Sequence, residues 1–588
     1  MEKWIVMAKK ADFKQIGEKF AIDQVTARII RNREVIGEEA VEIYLNGDIS
    51  CMHQPESMKD MKKAVEILQE KIIAGKKIRI IGDYDIDGIQ STYILSEALT
   101  ACGAVADIAI PDRIADGYGL NERLIQEAYN AGIDTIVTCD NGIAAAQEIA
   151  WAKELGMTVI VTDHHEVPFE ETEEGRMYRI PCADAVVNPK QPDCPYPYKG
   201  LCGAGVAYKL VQVLFRQMGK GEEEVYRFLP YAAFATIGDV MELTGENRIL
   251  VKEGLKRLHQ TENLGLHALM MQNKLLPKDI RAYHIGFILG PCLNASGRLD
   301  TAIRALQLMQ AKDMQSAAEL AKDLTDLNVS RKEMTVKGVE QADILAKQAL
   351  EAGDKVLVLY LPDCHESLAG IIAGRIREKY NHPVFILTRA EDGVKGSGRS
   401  IECYSMYEEL CKVKDLFTKF GGHPMAAGIS LKEENIEPLR RRLNECTGLK
   451  EDDFIPRVMI DVPMPIDYIT PKLIEELSLL EPFGKGNEKP VFADKNIRIL
   501  SARVLGKNGN VCKMQIKSSY GSNMEAVYFG SIEKFKNYMI EKYGETAVES
   551  LFRGGGVTEE ILMSLVYYPE INYYNGRESI QIVIKYYQ

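Results

Sequence analysis

The chain has 588 residues, 46% hydrophobic and 27% charged, a composition that excludes wholesale disorder and a length too great for one core; roughly three to five domains are expected. No apolar run approaches the roughly 18–20 residues of a membrane span, and the opening Met-Glu-Lys-Trp-Ile-Val lacks an export signal, so a cytoplasmic protein without a membrane segment is expected. With 72 basic against 85 acidic residues the net charge is −13, which argues against broad coating of duplex DNA but not against a narrow basic channel.

The 12 cysteines are scattered singly and no Cys-x-x-Cys occurs, which excludes a zinc ribbon and argues against a disulfide framework. Residues 1–50 read as an N-terminal extension. Within 51–300, short apolar runs at 77–83, 108–111, 135–140 and 157–163 alternate with amphipathic stretches, among them 89–101 and 121–131. That alternation predicts βαβ units and a parallel sheet covered by helices on both faces. Residues 301–352, rich in Ala, Leu, Lys, Asp and Glu, predict long connecting helices. A second α/β unit over 353–448 opens with a strand at 355–360 and carries glycine-rich turns at Gly396-Ser397-Gly398-Arg399-Ser400 and Gly421-Gly422-His423. From 449 to 588 the segments shorten and alternate at 496–504, 511–516, 524–529 and 580–584, which predicts a small β-barrel with helices near 472–480 and 532–543.

Four segments leave carboxylates or imidazoles where a strand is expected to end: Asp83-Tyr84-Asp85-Ile86-Asp87-Gly88, Asp140, Asp163-His164-His165 and Asp239. In sheets of this kind ligands bind beyond the carboxyl ends of the strands, so Asp83, Asp140 and Asp163 are expected on one rim. Alternation places Asp83, Asp85 and Asp87 on one side of an extended segment, and Gly88 permits a turn into the next helix. A calcium loop is the plain alternative, but an EF-hand needs Glu at about its twelfth position, which is Ile94. Hard oxygen ligands with one or two nitrogens suit two divalent cations, and such a pair most often attacks a phosphoester or phosphoanhydride. The Gly396–Ser400 run offers amides, hydroxyls and a guanidinium to a phosphate, and reads equally as an ordinary glycine-rich hairpin. Arg440-Arg441-Arg442 reads as a solvated helix face. Tyr567-Tyr568 and Tyr573-Tyr574 could stack on bases, with one member of each pair in the core.

These motifs resemble those of the DHH phosphoesterases. Further stretches are similar to one branch of that family, the bacterial single-strand-specific 5′→3′ exodeoxyribonucleases. They are Pro111-Asp-Arg113 with Gly117-Tyr-Gly-Leu120, Gly290-Pro-Cys-Leu-Asn-Ala-Ser-Gly-Arg298, His365-Glu366, the Gly396–Ser400 run, Gly421-Gly-His-Pro-Met-Ala-Ala-Gly428, Glu481-Pro-Phe-Gly-Lys-Gly-Asn487 and Ala526-Val-Tyr-Phe-Gly530. The resemblance implies an α/β fold in which a parallel-sheet DHH domain is linked by long helices to a smaller α/β DHHA1 domain, followed by a C-terminal OB-type β-barrel. It implies two cations, Mn²⁺ or Mg²⁺, one held by Asp83, Asp85 and Asp140 and the other by Asp87, Asp140, His164 and Asp239. His165 would sit near the scissile phosphate, and Arg113, Arg298, Ser397 and Arg399 would grip a 5′-terminal phosphate, with His365 and His423 also contacting substrate. The implied activity is hydrolysis of single-stranded DNA to 5′-mononucleotides in repair and recombination, by a monomer working with a helicase and a single-strand-binding protein. Two departures, Ser367 where glycine commonly follows His-Glu and Glu488 where proline commonly follows Gly-Asn, touch no implied metal ligand. The alternatives are a DHH/DHHA1 phosphodiesterase acting on nano-RNA, 3′-phosphoadenosine phosphate or cyclic dinucleotides, and a noncatalytic DNA-bound scaffold. The β-rich tail disfavours the first, and the complete set of acids disfavours the second.

Overall fold

The computed structural model describes residues 2–113, 116–173, 175–390, 393–506, 509–554, 560–574 and 576–588. Ile49–Pro456 forms one compact unit, and Glu2–Asp48 joins Arg457–Gln588 in a second.

The first unit is built on a five-stranded sheet of β1 (Lys77–Ile81), β2 (Val105–Ala109), β3 (Thr135–Cys139), β4 (Thr158–Thr162) and β5 (Ala185–Val187). Every pairing is parallel and the spatial order is β2-β1-β3-β4-β5. Residues of β3 are buried without exception, as a central parallel strand covered on both faces requires. The chain leaves β1 toward β2 on one side and later runs from β3 toward β5 on the other. The crevice between the carboxyl ends of β1 and β3 is therefore the topological switch point of the sheet. Helix α1 (Ile86–Ala101) follows β1 and is almost wholly buried, because apolar and small residues surround it on all sides. Behind it pack α2 (Gly203–Gln217) and α3 (Leu229–Gly238), and α4 (Gly290–Leu299) follows later in the chain.

A single 38-residue helix, α5 (Met314–Glu351), leads to the second sheet of this unit. That sheet comprises β6 (Leu357–Tyr360), β7 (Val384–Ala390), β8 (Gly393–Arg399), β9 (Phe417–His423) and β10 (Ala426–Leu431), in the order β9-β10-β8-β7-β6. Only β6 and β7 pair in parallel. Helix α6 (Ala369–Tyr380) covers one face. The two glycine-rich runs expected as turns are instead strand: Gly396–Arg399 lies in β8 and Gly421–His423 in β9. Glycine there serves close packing, since a Cβ on Gly398 would stand 2.4 Å from Met406 Sδ.

In the second unit, strands Phe492–Leu505, Val511–Lys517, Asn523–Tyr528, Arg577–Tyr587 and Leu562–Tyr574 pair in that order. The last pairs back with the first to close a five-stranded barrel. The N-terminal segment is not a free extension: Lys3–Val6 pairs in parallel with Arg457–Ile460, and Ile29, Ile30 and Tyr44 join the barrel core. Periodicity could not show this partnership, because it joins residues separated by most of the chain. No helix among the described residues is long and apolar enough to cross a membrane.

Candidate metal centre and phosphate pocket

The acidic run after β1 is not the extended segment that alternation predicts. The strand ends at Ile81, and Asp85 caps α1, its Oδ1 accepting from the amides of Asp87 (2.9 Å) and Gly88 (3.1 Å). Asp87 therefore lies in the first helical turn. Its oxygens accept from the first two amides of α2, Gly203 N at 2.6 Å and Ala204 N at 2.8 Å, where the positive end of the helix favours a carboxylate.

Asp140 directly follows β3 and has φ of 62°, a left-handed conformation that costs a non-glycine residue about 1–3 kcal/mol. The Tyr118 hydroxyl donates to its carbonyl at 2.7 Å, and its own amide donates to Thr162 O at 3.1 Å. A Cβ on Gly203 would come within 2.7 Å of Asp140 Cβ, so glycine is what lets the start of α2 press against this residue.

Asp163 directly follows β4 and accepts four N–H groups: Ile143 N at 2.9 Å, His164 N at 2.7 Å, His165 N at 3.1 Å and His165 Nδ1 at 2.8 Å. Burial opposes its charge, but these bonds and the neighbouring imidazoles outweigh burial and hold the carboxyl below its ordinary range. Burial likewise opposes a charge on His165, yet Asp163 outweighs it and pushes the imidazole up to about 9. Asp239 ends a helix, not a strand, as the C-cap of α3.

These residues form three overlapping groups, one of them Asp140, His164 and His165. Ligand atoms of Asp83, Asp85 and Asp140 lie within 4.8 Å of one another, as do those of Asp87, His164 and Asp239. His164 Nε2 stands 3.0 Å from Asp140 Oδ1, 3.5 Å from Asp87 Oδ2 and 3.9 Å from Asp239 Oδ2, which ties the groups together. Asp83 Oδ1 and Asp140 Oδ1 are buried with no hydrogen-bond partner. Burial, reinforced by neighbouring acids, pushes Asp83 and Asp140 far above the carboxylate range and Asp239 up to about 8. So many carboxylates cannot share this space ionised without added positive charge. Orphaned oxygens, a buried imidazole lowered below its usual range by burial, and mutual repulsion all fit two divalent cations.

Beside this cluster lies a group of guanidinium ions. Arg113 stacks 4.7 Å from the ring centre of Tyr84. Arg298 Nη1 donates to Ser367 O at 2.6 Å, and Ser367 Oγ, which is 2.8 Å from His365 Nδ1, donates back to Arg298 O at 3.2 Å. Burial, then the nearby Arg113, pushes Arg298 down to about 10. On β8, Arg399 Nη1 donates to Ser397 Oγ at 3.2 Å and Gly398 O at 2.7 Å. Arg399 pairs with Ala426 and Ala426 with His423, so Ser397, Arg399 and His423 share one sheet face. The intervening strand keeps His423 about 10 Å from Arg399. Gly421 and Gly428, on the rung of Ser397, leave that face open. Among the described residues no carboxylate pairs with Arg113, Arg298 or Arg399.

Asp163, placed on the rim from the sequence, also orients the His165 ring through Nδ1. Two residues that sequence reasoning did not single out join the centre: Tyr118 OH stands 3.0 Å from His165 Nδ1, and Asn294 Oδ1 accepts from Ile86 N at 2.9 Å. Tyr118 and Asn294 do lie within two of the motif stretches quoted above; the amides of Gly203 and Ala204 carried no signal beyond a Gly-x-Gly at a helix start. In the second unit Tyr567 is buried and its hydroxyl donates to Met464 O, whereas the ring centre of Tyr568 lies 3.4 Å from Lys489 Nζ and 5.1 Å from Lys585 Nζ. Tyr573 is exposed, and the side chain of Tyr574 lies outside the described residues. Arg440 and Arg442 pair with Asp354 and Asp415, each at 2.6 Å, consistent with a solvated helix face.

A carboxylate–imidazole cluster at the switch point of a parallel sheet, joined through one long helix to a second α/β sheet bearing arginines, defines a DHH-type phosphoesterase. The DHH family N-terminal domain matches residues 77–237, the DHHA1 domain residues 353–448 and the RecJ OB domain residues 460–586. The chain belongs to the RecJ family. Single-stranded-DNA-specific exonuclease RecJ of Bacillus subtilis (strain 168) is 35% identical over 592 residues, spanning 99% of this chain and 70% of that protein. The RecJ of Haemophilus influenzae is 32% identical over 97% of each chain. Among solved structures, RecJ from Thermus thermophilus in complex with Mn²⁺ superposes with a TM-score of 0.81 at 26% identity, covering 100% of this chain and 79% of that one.

Proposed function

We propose that this chain degrades single-stranded DNA from the 5′ end, releasing 5′-mononucleotides with the help of two divalent cations, Mn²⁺ or Mg²⁺. Its relatives bear the name single-stranded-DNA-specific exonuclease, and the similar Thermus structures hold Mn²⁺ or Mg²⁺. The observation that carries the polarity is the guanidinium group beside the acids, with which no carboxylate forms an ion pair among the described residues. An exonuclease must read a strand end. A 3′ end is a neutral hydroxyl, whereas a 5′-phosphate monoester carries close to two negative charges, for which such a pocket is suited.

Asp83, Asp85 and Asp140 would hold one cation, and Asp87, Asp140, His164 and Asp239 the other. Bound there, such a pair lowers the pKa of a water and offsets charge on the phosphoryl oxygens. The protein's own contribution is placement. Asp163 fixes the orientation of the His165 ring through Nδ1 and raises its pKa to about 9, so that an imidazolium can face the scissile phosphate. Arg113 and Arg298 would hold the terminal phosphate, with Ser397, Arg399, His365 and His423 completing the substrate side. In the barrel, Tyr568 with its two lysines and the exposed Tyr573 offer a stacking and charge surface suited to unpaired bases. A cytoplasmic monomer acting in repair and recombination, alongside a helicase and a single-strand-binding protein, is the setting supported by family resemblance.

The test uses 5′- and 3′-labelled single strands and blunt duplexes with Mn²⁺ or Mg²⁺, comparing the natural protein with Asp140→Ala. Mononucleotide release from the 5′ label on single strands alone, absent in the variant, is expected. Equal digestion of duplex, faster turnover of dinucleotides than of long strands, or an active variant would overturn the reading.

A further inference from the structure

Helix α4 meets the acidic turn after β1 along a single face. Residues 290, 294, 297 and 298 are separated by four, three and one, which sets them side by side on a helix. Three of them lie against the turn that carries the acids. A Cβ on Gly290 would stand 3.0 Å from Ile86 Cδ1, and one on Gly297 would stand 2.3 Å from Tyr84 O. Between them, Asn294 Oδ1 accepts from Ile86 N at 2.9 Å. Arg298 ends the row, and its Nη1 donates to Ser367 O at 2.6 Å.

Glycine at both ends of the row lets the helix backbone come down on the turn, and Asn294 is the polar side chain held between them. Ile86 stands between Asp85 and Asp87, so Asn294 is fastened inside the acidic run itself. A backbone N–H can be met only by the oxygen of a side-chain amide, which turns the NH₂ group of Asn294 away from Ile86. That NH₂ group donates to no atom among the described residues. Asn294 is half-buried and its nitrogen is not sealed in the interior, so the donor stays open to a ligand. One helical turn, about 6 Å of rise, separates this free amide from the guanidinium-bearing residue Arg298.

We propose that Asn294 donates its amide N–H to a non-bridging oxygen of the scissile phosphodiester, while Arg298 holds the phosphate one nucleotide nearer the 5′ end. Two consecutive phosphates then lie along one turn of α4, and that spacing fixes the product at one nucleotide. The assignment rests on the 5′-end reading above. A neutral donor is what this position requires. A lysine or arginine fastened between Asp85 and Asp87 would pair with those carboxylates and compete with the cations they are to hold. The amide supplies a hydrogen bond to the phosphoryl oxygen and adds no charge.

The test separates this role from that of a tie for Ile86. Asn294→Asp keeps an oxygen for the Ile86 N–H and removes the donor, whereas Asn294→Ala removes both. Both variants should melt within a few degrees of the natural protein; Asn294→Asp, which keeps the tie, carries the test should Asn294→Ala unfold. At saturating Mn²⁺, kcat on a 5′-phosphorylated single strand should fall roughly ten- to a hundredfold in Asn294→Ala and at least as far in Asn294→Asp. Full activity in Asn294→Asp would reduce Asn294 to a structural tie and overturn the proposal. A second readout uses strands whose first linkage is an Rp or an Sp phosphorothioate, because sulfur accepts a hydrogen bond more weakly than oxygen. The slowing caused by one diastereomer should largely vanish in Asn294→Ala, while that caused by the other persists. Identical sulfur effects in the two proteins would overturn the contact. A third readout needs no turnover. The Kd of metal-free protein for the same strand, from fluorescence anisotropy, should rise severalfold in Asn294→Ala, and an unchanged Kd would likewise overturn it. Digestion from the 3′ end by the natural protein, or none at all, would instead overturn the reading on which the proposal rests.

Discussion

Asp163 is the residue whose replacement most directly tests how the centre is held. In Asp163→Asn the side chain keeps its shape but exchanges one acceptor oxygen for an NH₂ group. Oδ1 accepts three N–H donors, from His164 N, His165 N and His165 Nδ1, and Oδ2 accepts one, from Ile143 N. The cheaper orientation turns the NH₂ toward the Ile143 N–H, which sets two buried donors face to face and removes the charge from the other three bonds. An unpaired buried donor costs about 1–3 kcal/mol, and bonds to a charged group are worth roughly twice those to a neutral one. A loss of about 2–4 kcal/mol is expected in urea titrations of metal-free protein. Released from Asp163, the His165 pKa should also fall from about 9 toward the ordinary value near 6.5. An imidazole whose folded pKa is raised contributes stability that is complete below pH about 6.5 and disappears as the pH passes about 9. The His165 ring is 42% exposed, so solvent screening trims this contribution to roughly 1–2 kcal/mol. The natural protein should therefore lose more stability between pH 6.5 and 9 than Asp163→Asn does. Exonuclease activity, with the His165 ring free to reorient, should fall about a hundredfold. Activity within about threefold of the natural protein, with parallel pH–stability curves, would refute the positioning role.

Other outcomes follow from the same structure. Lys209→Met should cost about 3–5 kcal/mol by urea titration, since it strands Glu246 in a site where both side chains are at most 1% exposed. Adding Glu246→Gln should recover much of that loss. Gly203→Ala should lower activity at least tenfold while changing the melting temperature little, because its Cβ would press on Asp140 Cβ from 2.7 Å; unchanged kcat/KM would count against the close approach. Asp239, with its pKa raised to about 8, binds a proton in the folded state that the unfolded chain releases near pH 4, and Asp83 and Asp140 shift in the same direction. Metal-free protein should consequently lose stability as pH rises from about 4 to 8, and the gain in melting temperature from added Mn²⁺ should be larger at about pH 8 than at about pH 5.5. A Mn²⁺ effect independent of pH would contradict the proposed ligand set.

Much of the centre was legible in the sequence because a parallel α/β sheet enforces a rule: whatever follows a central strand faces the same rim. Asp140 and Asp163 come directly after their strands, so their convergence needed only the βαβ alternation and the chemistry of acids and imidazoles. Local patterning failed where an interaction is distant in sequence or where two structures share one composition. Alternating acids suggested an extended Asp83–Asp87 segment, but Asp85 serves as a helix cap, and the amides that hold Asp87 come from α2 far along the chain. Glycine-rich runs suggested turns, yet Gly396 and Gly398 are strand residues whose missing side chains make room for packing.

The sequence by itself determined the order of domains, the central strands and the types of ligand available, because periodicity and strand-end placement are local properties. Only tertiary structure decided which acids share a group, which amides and hydroxyls hold them, and which strand Lys3–Val6 joins. Those facts depend on contacts between residues tens to hundreds of positions apart, and no local pattern encodes them.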